Sequence, residues 1–163
     1  MTQIYGPGSS VARESHSRGW LSLSSHMPFR QPACLTVGST AELPRVIEPV
    51  VAAMTEHGYS DKEVFGMRLA LEEALVNAIK HGHRGDTRLV VRVHYQVTPK
   101  QALATVEDQG AGFDPRSVAD PLAAENLERS CGRGLLLMRH YLSWLRYNER
   151  GNAVTLCCRR SVG

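Results

Sequence analysis

The 163-residue chain is the length of one domain with a short tail, and its 42% apolar residues are enough to bury a core. The formal charge of +3 is dispersed: of 19 basic residues only Lys62, Lys80 and Lys100 are lysines, and Arg159-Arg160 is the sole basic pair. That excludes a stripe built to neutralise a run of nucleic-acid phosphates. No apolar run approaches the roughly 18 residues of a membrane helix, and the start lacks the apolar segment of a secretory signal, so a soluble cytoplasmic protein is expected. Cys34, Cys131, Cys157 and Cys158 form neither a CxxC pair nor a Cys/His ligand spacing and read as reduced structural thiols.

Residues 1–30, rich in Ser, Gly, His and Arg and without a hydrophobic period, read as a flexible tail; residues 31–163 read as the folded domain. A short strand is predicted over Ala33–Val37. Ser39 or Thr40 then caps a helix carrying Leu43, Val46, Ile47, Val50, Val51 and Met54, which Gly58 ends. Ser60 with Glu63 three residues later forms a capping box, so a second helix runs from near Asp61 to about Gly82. Alternating stretches Leu89–Val97 and Ala102–Val106 predict a hairpin. After Gly110, Gly112 and Pro115, residues 113–131 have no strong period, and structureless loops of that length are usually functional. A helix over about Gly134–Leu142 and strands over Trp144–Glu149 and Ala153–Arg159 complete the chain. This order predicts an α/β two-layer sandwich, with helices on one face of a mixed, mostly antiparallel sheet.

Three short segments carry chemistry. In the second helix Glu73, Asn77 and Lys80 are spaced i, i+4, i+7 and share one polar stripe, beside an apolar stripe of Leu71, Leu75 and Ala78. A carboxylate one turn from an amide sets a general base beside an oxygen ligand for Mg²⁺, and a lysine one turn further can meet phosphate oxygens; an exposed polar face would have the same spacing. Asp108-Gln109-Gly110-Ala111-Gly112 follows a strand directly. Its glycines let backbone approach a flat ligand and its carboxylate can accept from an exocyclic amine, although a plain turn looks alike. Gly132-Arg133-Gly134 opens a helix, where free amides and the helix dipole favour an anion.

In this order the three segments resemble the N, G1 and G2 boxes of the GHKL, or histidine-kinase-like, ATPases of the Bergerat fold. Glu73-Ala-Leu-Val-Asn77-Ala-Ile-Lys80-His81-Gly82 is similar to the E-x-x-x-N-A-x-x-H-G form found in the anti-sigma factor serine/threonine kinases. Asp108-x-Gly110-x-Gly112 is similar to the D-x-G-x-G box and Gly132-Arg133-Gly134-Leu135 to the G-x-G-L box, and the resemblance covers about residues 34–160.

The resemblance implies ATP and Mg²⁺ as cofactors and assigns roles residue by residue. Glu73 would accept the proton of a substrate serine, Asn77 would bind the metal, and Lys80 would touch phosphate. Asp108 would hold adenine, Gly110 and Gly112 would shape its pocket and hinge the lid, and Gly132, Arg133 and Gly134 would cradle phosphate. His81 is expected to pack or cap the helix end. The family often has Gly-Thr before its last strand, where this chain has Gly151-Asn152; Thr155 is out of register with that threonine, and the lid is short and poor in glycine. The implied function is a homodimeric anti-sigma kinase that binds a sigma factor and phosphorylates a STAS-type anti-anti-sigma partner. The alternative is an ATP-binding switch that sequesters a partner without phosphoryl transfer. The catalytic half of a histidine kinase would need a long dimerisation helix ahead of Thr40, and the DNA-remodelling relatives a transducer domain.

Overall fold

A computed structural model describes residues 4–5, 33–83, 86, 88–114, 138 and 140–161. Strand β1 (Ile4–Tyr5) is followed by β2 (Ala33–Val37), helices α1 (Leu43–Glu56) and α2 (Asp61–Asn77), and strands β3 (Val91–Val97), β4 (Gln101–Glu107), β5 (Trp144–Tyr147) and β6 (Ala153–Arg159). The strands form one sheet in the order β1-β5-β6-β4-β3-β2. Every pairing among the described residues is antiparallel, so the mixed sheet expected from the sequence contains no parallel pair there. Strand β6 enters between β4 and β5, which sets the β5–β6 turn beside the end of β4.

Both helices lie on one face, α1 over β2 and β3 and α2 over β4 and β6. Val46, Val50, Met54, Met67, Leu71 and Leu75 meet Val91, Val93, Leu145 and Leu156 in a core where each is at most 2% exposed. Burying each such side chain stabilises the fold by about 1.5–3 kcal/mol. Small residues at Ala102 and Ala104 of β4 leave room for the helices above them. Near the last helical residues described, Met138 and Leu142 are buried in the same core, and a Cβ at Gly66 would overlap the Tyr141 side chain, while His140 is exposed. No helix among the described residues is long and apolar enough to cross a membrane. Cys34, Cys157 and Cys158 are free, and burial pushes the Cys157 thiol up to about 11 and that of Cys158 to about 12, leaving both protonated and unreactive at neutral pH.

The helix boundaries follow local chemistry. Helix α1 starts later than its expected cap: a 3-10 turn over Thr40–Glu42 precedes it, and Ser39 makes no side-chain capping bond. At its other end Gly58 takes φ +75°, so its amide reaches the Thr55 carbonyl (3.0 Å) and the Tyr59 amide that of Met54 (3.1 Å). Those two bonds satisfy carbonyls the helix would otherwise leave open. The capping box of α2 forms as expected. The Ser60 amide donates to Glu63 Oε2 at 2.7 Å, and the Glu63 amide donates to Ser60 Oγ at 3.4 Å.

Glu63 has a second task the sequence does not announce. Its Oε1 accepts from the Ser161 amide (2.6 Å) and hydroxyl (2.9 Å), pinning the chain after β6 to the start of α2. Burial alone would raise its carboxyl, but the hydrogen bonds from Ser161 and Ser60 outweigh it and hold the group below the ordinary carboxylate range. A depressed folded value means that Glu63 stabilises the fold above the unfolded pKa near 4.3, with the contribution lost as pH falls through the folded value. Glu63→Ala should therefore cost about 1–3 kcal/mol in urea unfolding at pH 7, and that difference from wild type should shrink once the pH is taken below 4.

Candidate functional site

The C-terminal end of α2 does not continue as an α-helix. Residues Ala78–Gly82 form a π turn, closed by the His83 amide on the Ala78 carbonyl at 3.1 Å, a bond spanning five residues. Single π turns inside helices recur at functional sites because the wider turn re-aims the side chains beyond it. Of the stripe expected from the sequence, Glu73 and Asn77 lie on the α-helical part and Lys80 on the π turn beyond it. Lys80 and His81 are exposed on the π turn, so of the two roles expected for His81, packing or capping the helix end, packing is excluded.

Glu73 and Asn77 touch: Asn77 Nδ2 donates to Glu73 Oε1 at 2.9 Å. The bond fixes the amide so that its carbonyl oxygen is left as an acceptor, while Glu73 keeps Oε2. Both side chains are half-buried, and their helix is anchored behind them by buried Leu71, Ala74, Leu75 and Ala78.

The π turn also brings Gly82 against the end of β4. A Cβ at Gly82 would lie 2.5 Å from the Asp108 carboxyl carbon, and a Cβ at Gly110 would run into the Gly82 carbonyl. Asp108 Oδ1 accepts from the Gly110 amide at 2.7 Å, a local turn that shapes the loop. Burial raises the Asp108 carboxyl above its ordinary range, opposed by the Gly110 amide and by His83 and Arg150. The same loop meets the β5–β6 turn from the other side. Gly112 and Gly151 take φ +77° and +72°, and a Cβ on either would clash with backbone of the other segment, at Arg150 and Phe113 respectively.

The sequence marks this turn only through Gly151-Asn152, a departure from Gly-Thr. Asn152, 6% exposed, spends its side chain on protein: Nδ2 donates to the Asp108 carbonyl (2.8 Å) and Oδ1 accepts from Asn148 Nδ2 (2.9 Å). Arg150 Nη2 donates to the Gly110 carbonyl at 2.9 Å. Thr155 bonds Thr105 across the strands at 3.0 Å and alternates with buried Val154 and Leu156, so it points away from the helices. Nothing in the sequence marks Arg150, because its partner is a backbone carbonyl forty residues away; Asn148 bonds Asn152 and the Ala153 amide within its own turn. Gly132, Arg133, Gly134 and residues 115–131 of the expected lid lie outside the described residues, while Phe113 at its start packs edge-on against Tyr147 at 5.1 Å.

A family profile for the histidine kinase-like ATPase domain matches residues 38–158. The chain belongs to this family. It is 30% identical over 88 residues to the serine/threonine-protein kinase BtrW of Bordetella bronchiseptica, covering 53% of this chain and 62% of that protein, less than two thirds of it. It is 30% identical over 126 residues to an anti-sigma F factor of Halalkalibacterium halodurans, covering 75% and 76%. An anti-sigma F factor of Clostridium perfringens is 30% identical over 105 residues, covering 62% and 74%.

The residues fit the nucleotide such a domain takes. An amide oxygen beside a carboxylate is a hard oxygen set suited to Mg²⁺, and a half-buried carboxylate in a glycine-lined bend is suited to an amine on a flat ring. Among the described residues there is no cluster of three His, Cys, Asp or Glu that could hold a metal ion. Because Asn152 props the Asp108 backbone, Asn152→Ala should leave a part-buried carbonyl without its partner, at about 1 kcal/mol or somewhat more. Thermal unfolding should show a melting temperature lower by several degrees.

Proposed function

We propose that the chain is an ATP-dependent protein serine/threonine kinase and anti-sigma factor, which binds a sigma factor and phosphorylates a STAS-type anti-anti-sigma partner. The observation that carries it is the Glu73–Asn77 contact on the same helix whose π turn packs against Asp108. The likeness to a serine/threonine-protein kinase and to anti-sigma F factors supports the activity and the partner class.

In this reading Asp108 accepts from the adenine amine, Gly110 and Gly112 leave space for the ring, and Asn77 supplies its free carbonyl oxygen to Mg²⁺. The metal, when bound, neutralises phosphate charge. Lys80, exposed on the π turn, reaches phosphate, and Gly132, Arg133 and Gly134, which lie outside the described residues, are assigned to phosphate by the motif alone. Glu73 Oε2, left free by the Asn77 bond, receives the proton of the partner's hydroxyl as its oxygen bonds to the γ-phosphorus and the bond to the ADP oxygen breaks. The half-buried position of Glu73 shields that proton transfer from bulk water.

Glu73→Gln keeps shape and hydrogen bonding but cannot take a proton. It should bind Mg-ADP like wild type while losing about 10²–10⁴-fold in transfer of label from radiolabelled ATP to a STAS partner serine. Transfer at the wild-type rate would remove Glu73 from the role of base. A tight partner complex with no label in any candidate, even with wild-type protein, would mark a binding switch instead. Asn77→Ala should weaken nucleotide binding about tenfold in calorimetry with Mg²⁺ present and far less in EDTA.

A further inference from the structure

One buried polar group beside the site has no partner. His83, the residue closing the π turn, is only 5% exposed, and its Nε2 is buried without a hydrogen bond. Buried ring nitrogens are rarely left so, and each case calls for an explanation. The one other buried orphan among the described residues, Arg146 Nε, has one: its guanidinium lies over the Trp144 ring at 5.8 Å on β5. No such account exists for His83.

Its position points to the ligand. His83 follows Gly82, which is pressed against Asp108, and the imidazole lies within electrostatic reach of that carboxyl. The other carboxylate near it, Asp86, is taken by Arg88, whose Nε and Nη2 donate to it at 3.0 and 2.9 Å. The adenine edge offers a donor, the exocyclic amine, next to an acceptor ring nitrogen; guanine offers an acceptor next to a donor. An Asp acceptor beside an imidazole donor complements the first and opposes the second.

We propose that His83 is a specificity-determining residue of the nucleotide site, its Nε2–H donating to the adenine ring nitrogen adjacent to the amine held by Asp108. The assignment rests on the nucleotide-binding reading above and extends it to base selection. It also accounts for a polar side chain kept at a position where an apolar one would pack without an orphan.

Calorimetry of the full chain with Mg-ADP and Mg-GDP, together with thermal unfolding without nucleotide, tests it. His83→Leu should bind ADP about tenfold more weakly with GDP binding unchanged, so that the ADP preference narrows by the same factor. His83→Gln, which retains a donor, should stay within about threefold of wild type for ADP. Without nucleotide, His83→Leu should melt no lower than wild type, since it removes an unpaired buried group. An unchanged ADP-to-GDP ratio in His83→Leu overturns the proposal, and so does a lowered melting temperature in both variants with that ratio intact, which marks a packing role. Absence of ADP binding by the wild-type protein would instead overturn the nucleotide reading itself, and the role of His83 with it.

Discussion

Asn152 holds Asp108 by both backbone groups, its main-chain carbonyl accepting from the Asp108 amide at 2.9 Å and its side-chain amide donating to the Asp108 carbonyl at 2.8 Å. The first of these bonds extends the β4–β6 ladder one step beyond the sheet, so the Asp108 loop begins from a rigid platform. Arg150 on the Gly110 carbonyl and the two left-handed glycines, 112 and 151, close the same joint without side-chain bulk. The candidate adenine-facing carboxylate is thus set by the β5–β6 turn, and this depends on β6 lying between β4 and β5. Asn152, standing where the resemblance would lead one to expect a threonine, is committed by these bonds to architecture.

On the opposite wall the π turn adjusts a helix that has two incompatible duties. The apolar face of α2 must stay over β4 and β6, and its C-terminal end must bring backbone, not side chain, against Asp108. A continued α-helix would keep the first contact while directing its next turn elsewhere; the wider turn allows both. Gly82 makes the approach sterically possible, and His83 is carried inward by the same turn. The polar groups of the site therefore sit at the end of a well-packed helix whose other end is secured by Glu63. That carboxylate ties Ser60 and Ser161 together, joining the start of α2 to the chain just after β6.

Most of the fold was legible in the sequence because it is written in local rules. The capping box at Ser60 and Glu63, the left-handed Gly58 and the alternating β3, β4 and β6 stretches formed at or within two residues of their expected places. Each depends on residues close in the chain: a side-chain oxygen three residues from an amide, a missing Cβ, a period of two on a half-buried surface. The misjudged start of α1 fits the same account, since a capping hydroxyl competes with the 3-10 turn that the backbone prefers between Ser39 and Leu43.

The sequence by itself determined the site's residue types, Glu73 and Asn77 one helical turn apart and Asp108 in a glycine bend, because spacing within one element dictates who shares a face. Only the tertiary structure decided how those pieces meet. The β6 insertion, the joint between Asn152 and Asp108, the π turn at the end of α2, and the burial of an unpaired His83 all arise from contacts between distant segments. Such contacts leave no period or motif in the chain, since the partner of each is a backbone atom or a neighbouring layer whose position is fixed only once the helices have covered the sheet.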